Sequence, residues 1–230
     1  MQLIDVLNVV ADAFDGIFSK EVFIALAAAY IGARATSRAT TKAHEYALQK
    51  SKNDEIETTR NTLRLIKAEL TTAWDIYMFE YGEELLSIPE NTPYIDTLPI
   101  GENPFPIYDS APSCLANVDP LISAKIVRIY MRTKGLISMI NLNNADCQAV
   151  YSAGRYATQN LINKAISEGQ AINEDGARRL NEYHDYYVQQ EAKKLGMGDT
   201  ANGMKSLTME LKDLLSAIKI DIDKVIASPY

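Results

Sequence analysis

The chain has 230 residues, enough for one sizeable core or for a smaller domain joined to an anchor. Its formal net charge of −7 excludes a general nucleic-acid-coating protein, which would be basic overall. Cys114 and Cys147 form no CxxC pair, which fits reduced thiols in a cytosolic portion better than a disulfide framework. Outside one proline-rich window the apolar residues recur at helical spacing, so we predict an all-α fold.

The first predicted helix, residues 3–18, carries a single polar stripe. The stripe steps alternately by three and four residues through Asp5, Asn8, Asp12, Asp15 and Ser19. The rest of this helix is largely apolar, a pattern suited to a membrane interface or to packing against copies of itself. One interpretation is an amphipathic helix with a solvated acidic side. The alternative is a set of pore-lining residues that face the axis of an oligomeric channel.

The longest uncharged apolar run is VFIALAAAYIGA, residues 22–33. As a helix it would be about 18 Å long, against about 30 Å for a hydrocarbon core, so a span would need its flanking residues as well. Small residues recur at four-residue spacing in two rows: Ala25, Ala29 and Ala33, and Ala28, Gly32 and Thr36. Such rows allow close helix packing in lipid, so we predict a self-associating membrane helix. A buried helix of a soluble protein and a signal peptide ending near Ala35 are the alternatives.

Positive charge is concentrated on one side of this run. The cations that follow it are Arg34, Arg38, Lys42, Lys50 and Lys52, whereas only Lys20 precedes it. Because positively charged flanks stay in the cytoplasm, a span would lie in the inner membrane with the N-terminus outside and the C-terminal domain cytoplasmic. The expected partners are therefore membrane lipid and further copies of the chain.

The predicted organisation has four parts: membrane-associated N-terminal helices at 1–40, a helical stalk at 41–88, a Pro-rich connector at 89–118 and a helical bundle at 119–230. Between Gly32 and Gly82 there is neither glycine nor proline, so a long helix is expected, with a break near Ser51 as the alternative. The prolines of the connector exclude regular helix. Its aromatic residues are expected to pin it onto the bundle: Tyr94, Phe105 and Tyr108.

Four helices are predicted in the bundle. Asp119 followed by Pro120 marks the start of the first. We interpret the cluster Asn141, Asn143 and Asn144 as a polar turn before the second helix, the alternative being a buried network. Asn173 starts the third helix and glycines 196 and 198 end it. The fourth, about residues 204–226, has a regular apolar seam and closes the bundle or mediates oligomerisation.

The candidate ligand site is a basic stripe, formed by Lys125, Arg128 and Arg132 at steps of three and four on the first bundle helix. Arg155 on the following helix is a further candidate contact. These cations suit an anion such as a nucleotide, an oligonucleotide or a lipid head group, although a solvated helix face is the plainer interpretation. No nucleophile–base pair, Gly-rich phosphate loop or metal cluster occurs in the sequence, so we predict no catalytic residues, no metal site and no cofactor.

Three features together resemble a group of bacterial membrane-anchored helical proteins. They are the N-terminal apolar segment running into a charged helix, PFPIYDS at 104–110, and IVRIYMRTKGLISMINLNN at 126–144. Small anti-phage effectors of the Hailong type share this layout over residues 22–144. The resemblance implies a membrane-embedded oligomeric effector or channel whose cytosolic domain senses an oligonucleotide made by a partner nucleotidyltransferase. A non-catalytic membrane tether or scaffold is the alternative function.

Overall fold

The structure is a computed structural model that describes residues 20–101, 104–110 and 115–228. The described residues form helices and no strands, which confirms the all-α prediction. The elements are α1 Lys20–Tyr77, a π-helical turn Met78–Gly82, α2 Glu83–Ser87, α3 Pro106–Ser110, α4 Pro120–Ser167, α5 Glu174–Lys194 and α6 Met197–Ala227. The predicted helix at 3–18 lies outside the described residues.

The chain divides into two compact units, Met1–Glu57 and Thr58–Tyr230. In the first unit α1 includes Ser51, where the sequence allowed a break, and the apolar run 22–33 is helical as predicted. All side chains described from residue 24 to residue 57 are exposed. Across the described part of the chain, no helix combines the length and the apolar character needed to cross a membrane.

The core of the second unit joins the end of α1 to α4 and α6. Its fully or nearly fully buried side chains include Leu63, Ile66 and Leu70 of α1, Ile126, Ile129 and Ile140 of α4, and Met204, Leu211, Ile218 and Ile222 of α6. Burying each of these aliphatic side chains contributes about 1.5–3 kcal/mol relative to exposure. The buried side chains of α6 recur at steps of three, four and seven residues, which confirms the apolar seam predicted for the last helix.

A smaller buried cluster attaches α5 to α4. It contains Cys147, Val150, Val188, Ala192 and Met197. Gly154 permits the close approach of the two helices, because a Cβ atom there would lie 2.6 Å from Cγ2 of Val188. Burial raises the pKa of the free Cys147 thiol to about 11, so this thiol is protonated at neutral pH.

Side-chain caps set the helix starts that the sequence predicted. Asp119 Oδ1 accepts a hydrogen bond from the Leu121 amide at 2.8 Å, and Asn173 Oδ1 accepts one from the Gly176 amide at 2.9 Å. Gly196, with φ of 73°, is in the left-handed region and ends α5. The last helix begins at Met197, earlier than the expected 204.

The interpretation of the asparagine cluster as a turn is wrong. α4 continues through it, and Asn143 is completely buried with Nδ2 donating to the Asp96 carbonyl at 2.9 Å. Asn144 accepts from the Leu98 amide at 2.9 Å and donates to the Leu98 carbonyl at 2.7 Å. The connector is extended at this point and its backbone groups need partners, which these two side chains supply.

The connector packs on the helical body through its aromatic residues, as predicted. Tyr94 and Phe105 are buried, and the Tyr108 ring stacks on Tyr130 with centroids 3.6 Å apart. The expectation that prolines exclude helix from this window is wrong for α3, which begins at Pro106. Proline is tolerated at the first position of a helix because the amide it lacks would have no partner within the helix.

Candidate functional site

An apolar cavity of about 390 Å³ lies in the second unit, within Thr58–Tyr230. The end of α1, the π-helical turn, the connector, α4 and α6 all contribute to its wall. The main aromatic and aliphatic lining residues are Trp74, Tyr77, Tyr81, Phe105, Leu136 and Ile140. Cavities from about 300 to 1,000 Å³ that are lined mostly by apolar and aromatic side chains are typical of small-molecule sites.

The π-helical turn shapes one wall of this cavity. It places Glu80 and Tyr81 at the cavity, directly after Tyr77 at the end of α1. Gly82 is buried in this turn, and Sδ of the Met78 side chain packs into the space that a Cβ atom would occupy, 2.6 Å from its position. Such turns insert extra backbone into a helix and occur frequently at functional sites. The long helix predicted between Gly32 and Gly82 did not anticipate this π-helical turn.

Two hydroxyl groups of the wall, those of Tyr77 and Thr133, are engaged within the chain. The Thr208 hydroxyl donates to the Met204 carbonyl at 2.8 Å, so in the 2.7 Å contact between Tyr77 and Thr208 the tyrosine is the donor. Burial raises the pKa of Tyr77 and keeps its hydroxyl protonated. Thr133 donates to the Ile129 carbonyl at 2.8 Å. The interior therefore offers mainly hydrocarbon and ring surface to a ligand.

A charged hydrogen-bond network holds the connector wall in place. The Glu69 carboxylate accepts from the Tyr130 hydroxyl at 2.8 Å and from the α3 amides of Ile107 and Tyr108 at 2.8 and 3.2 Å. Phe105 packs edge-on against Tyr130 with centroids 5.1 Å apart. Burial and the Glu69 carboxylate raise the pKa of Tyr130, which therefore stays a donor.

The basic stripe is exposed on α4, but its cations are paired with acids of α6. Lys125 Nζ lies 2.6 Å from Asp221 Oδ2. Arg128 Nη2 and Arg132 Nε lie 2.8 and 3.1 Å from the same Glu210 oxygen, Oε1. Hydrogen bonds from Arg128 and Lys125 lower the pKa of Glu210 and of Asp221, respectively. Because Arg128 and Arg132 share one carboxylate, this part of the stripe keeps a net positive charge. Ligand binding by the stripe stays a prediction.

Arg155 does not join the basic stripe. Because α4 is one continuous helix, Arg155 is 23 residues beyond Arg132 on it, about 35 Å away at about 1.5 Å per residue. Its Nη2 donates to Ser152 Oγ at 3.0 Å. The sequence placed Arg155 on a separate helix after a turn, where it could have folded back toward the stripe. The structure brings together only the three cations of the stripe.

The structure does not describe the predicted pore-lining residues. They are Asp5, Asn8, Asp12, Asp15 and Ser19, which all lie outside the described residues. Over 20–101, 104–110 and 115–228, no three His, Cys, Asp or Glu side chains are grouped so that they could hold a metal ion.

The described part of the first unit exposes an apolar segment, residues 24–33 of α1. Its large side chains Ile24, Leu26, Tyr30 and Ile31 are 58%, 63%, 65% and 66% exposed. Gly32 lies among them, and a Cβ atom there would meet nothing within 4 Å. Large exposed apolar patches are typical of surfaces that contact a protein or a membrane.

Comparisons of the chain with protein families, with curated proteins and with solved structures find no match.

Proposed function

We propose that the chain is an oligomeric, membrane-associated effector. Its N-terminal helical residues associate with the bacterial inner membrane, and the unit Thr58–Tyr230 is a cytosolic domain that receives a signal. One observation carries the proposal: the apolar segment 24–33 is fully helical and exposed. Covering it would gain about 25 cal/mol for each Å² of apolar surface removed from water.

Charge beside the segment supports a membrane as the covering surface. Arg34 and Arg38 follow it within two helical turns, and both are exposed. Basic residues near an anionic leaflet contribute about 1 kcal/mol each. Tyr30 lies at the border, where Arg34 Nη1 donates to its hydroxyl at 3.3 Å. Aromatic residues are enriched at the membrane–water boundary, and cations on this side orient the N-terminus outward.

Small side chains support self-association of the same segment. Ala25 and Ala29 recur one turn apart, as do Ala28 and Gly32, all within the exposed part of α1. Rows of this kind let two helix backbones approach closely in lipid, where packing replaces the hydrophobic driving force. In the proposed oligomer, the polar stripe from Asp5 to Ser19 faces the axis and lines a pore.

The layout shared with Hailong-type effectors supports a role in bacterial anti-phage defence. In this proposal a partner nucleotidyltransferase supplies an oligonucleotide that binds the basic stripe of Lys125, Arg128 and Arg132. The stripe has more cations than the two carboxylates that it contacts, Glu210 and Asp221, can neutralise. An incoming phosphate would compete with Glu210 for the two guanidinium groups.

The pairing of the stripe with α6 favours a second candidate function, a non-catalytic membrane tether or scaffold. Each of its three cations already has a carboxylate partner within 3.1 Å. Each cation therefore makes an ion pair without any ligand being bound. In a tether the apolar segment and the small-residue rows would keep their roles, without a pore or a trigger.

The proposal is tested by measuring whether the chain stays in the membrane fraction and whether it changes the membrane potential of the cell. The full chain is expressed in bacteria, with and without phage infection, and membranes are extracted with alkaline carbonate while a voltage-sensitive dye reports depolarisation. We expect the wild-type chain to stay in the membrane fraction and to depolarise infected cells. Ile31→Glu should release it, because a charge in the apolar segment opposes insertion.

Ile56→Glu is the matched control, since Ile56 is also an exposed isoleucine of α1 in the same unit. It should behave as the wild type. Release of the wild-type chain into the soluble fraction would contradict the proposal. Retention without depolarisation, even during infection, would identify the tether.

A further inference from the structure

We propose that the apolar cavity in Thr58–Tyr230 is a binding site for an uncharged, largely apolar small molecule with two or three aromatic rings. This site is separate from the basic stripe and does not depend on the proposed membrane function. A dry apolar cavity of about 150 Å³ is large enough to bind benzene. The cavity here, at about 390 Å³, is more than twice that size.

The chemistry of the wall selects an apolar ligand. Leu70, Ile137 and Leu215 add to its hydrocarbon surface. The hydroxyls of Tyr77 and Thr133 are committed to Thr208 and to the Ile129 carbonyl. A ligand rich in polar groups would lose its bonds to water and find few replacements, which costs about 1–3 kcal/mol for each unpaired group. A hydrocarbon or aromatic ligand has no such loss.

Charge on the wall selects against anions. Glu80 lies at the cavity, and none of the described lining residues is a lysine or an arginine. An anionic ligand would therefore approach a carboxylate and enter an apolar space without a compensating cation. Nucleotides and other phosphate-bearing molecules are excluded on this ground. The cavity and the basic stripe thus suit different classes of ligand.

Aromatic faces give the site its shape. Trp74 and Tyr77 lie with centroids 5.7 Å apart and planes tilted by 47°. Phe105 completes the wall from the connector, where the network of Glu69 and Tyr130 fixes its position. Offset and edge-on contacts between rings are favourable beyond the area they bury.

The fluorescence of Trp74 can report ligand binding, because Trp74 is the only tryptophan of the chain and lines the cavity. The experiment titrates the full chain with N-phenyl-1-naphthylamine, an uncharged two-part aromatic probe, and records quenching of Trp74 emission. We expect saturable binding of one probe per chain. The same titration is repeated with 8-anilinonaphthalene-1-sulfonate, which carries a negative charge on the same ring scaffold. Its dissociation constant should be higher by about tenfold or more.

Ala73→Phe tests the location, because Ala73 lines the cavity and the larger side chain would fill it. It should weaken binding of the uncharged probe by about tenfold or more. Ala68→Phe is the matched control, since Ala68 is exposed on the same helix and should leave binding unchanged. Circular dichroism checks the folding of each variant, and Ala73→Leu replaces Ala73→Phe if the latter does not fold.

Glu80→Gln tests the charge selection. It should strengthen binding of the sulfonate probe by a larger factor than binding of the uncharged probe. The proposal is overturned if the uncharged probe shows no saturable quenching, or if it binds Ala73→Phe as tightly as wild type, which would place it elsewhere, for example on residues 24–33. Equal affinities for the two probes would also overturn it.

Discussion

The Tyr130 hydroxyl of α4 donates to the Glu69 carboxylate of α1 across 2.8 Å. The same carboxylate holds the first free amides of α3, so three segments distant in sequence meet at one side chain. The helix N-terminus and the phenol both direct positive partial charge at Glu69. This contact fixes the connector against the helical body and with it one wall of the apolar cavity.

Removing that carboxylate should destabilise the second unit. Glu69→Ala leaves the amides of Ile107 and Tyr108 and the Tyr130 hydroxyl without their acceptor, so we expect a loss of about 2–4 kcal/mol in the free energy of unfolding. Urea denaturation followed by circular dichroism measures it. Glu45→Ala, an exposed glutamate of α1, is the control and should change stability little. Equal stability of the two variants would show that the network contributes nothing.

The second unit should lose stability in alkali. The pKa values of Tyr130, Tyr94 and Tyr77 are raised in the fold, chiefly by burial. Their contribution is complete below the ordinary tyrosine pKa of about 10, and it declines as the pH rises above that value because the unfolded chain then ionises first. Each tyrosine adds up to about 1.4 kcal/mol per pH unit to this decline.

Urea unfolding at pH 8 and at pH 11 tests this expectation. Tyr130→Phe removes one ionising group and should make the difference between the two pH values smaller. Tyr46→Phe changes a fully exposed tyrosine of α1 and should leave the difference as it is. A stability that does not fall between these pH values would contradict the assignment.

Freeing the basic stripe should increase its affinity for anions. Glu210→Gln removes the carboxylate shared by Arg128 and Arg132, so a single-stranded oligonucleotide probe should bind more tightly, with a steeper dependence on salt concentration. Fluorescence polarisation of a labelled oligonucleotide at several salt concentrations measures this. Glu191→Gln, which disrupts an ion pair with Lys194 on α5, is the control.

The converse change should abolish the binding. Arg128→Glu combined with Arg132→Glu reverses the charge of the stripe and should remove oligonucleotide affinity at physiological salt. If all these variants bind the probe as the wild type does, the stripe is an ordinary solvated helix face.

The asparagines of α4 should differ sharply in their effect on stability. Asn144→Ala removes both hydrogen bonds to Leu98 and should cost about 1–3 kcal/mol, whereas Asn141→Ala changes an exposed side chain and should cost little. Thermal unfolding measures the difference. Amide hydrogen exchange at Leu98 should also accelerate in Asn144→Ala alone. Similar melting temperatures for the two variants would mean that the hydrogen bonds between Asn144 and Leu98 do not stabilise the connector.

Structural features that depend on residues only a few positions apart, such as helix caps and apolar spacing, were predictable from the sequence. Asp119 and Asn173 cap helices through amides two or three residues ahead, so the starts of α4 and α5 were predictable. The buried positions of α1 and α6 follow the spacing of an amphipathic helix, which can be recognised in the amino-acid sequence. The cations of the stripe were visible for the same reason. Their acidic partners were not, because Glu210 lies 82 residues from Arg128.

The sequence by itself therefore determined the helical class, the starts of α4 and α5 and the apolar faces, since these depend on capping, backbone propensity and periodicity over one or two turns. Only the tertiary structure decided the role of Asn144, whose partner Leu98 is 46 residues away. It also decided the apolar cavity, because a cavity is the space that packed elements leave between them. Its walls come from α1, the π-helical turn, the connector, α4 and α6, and no short stretch of sequence encodes the gap between them.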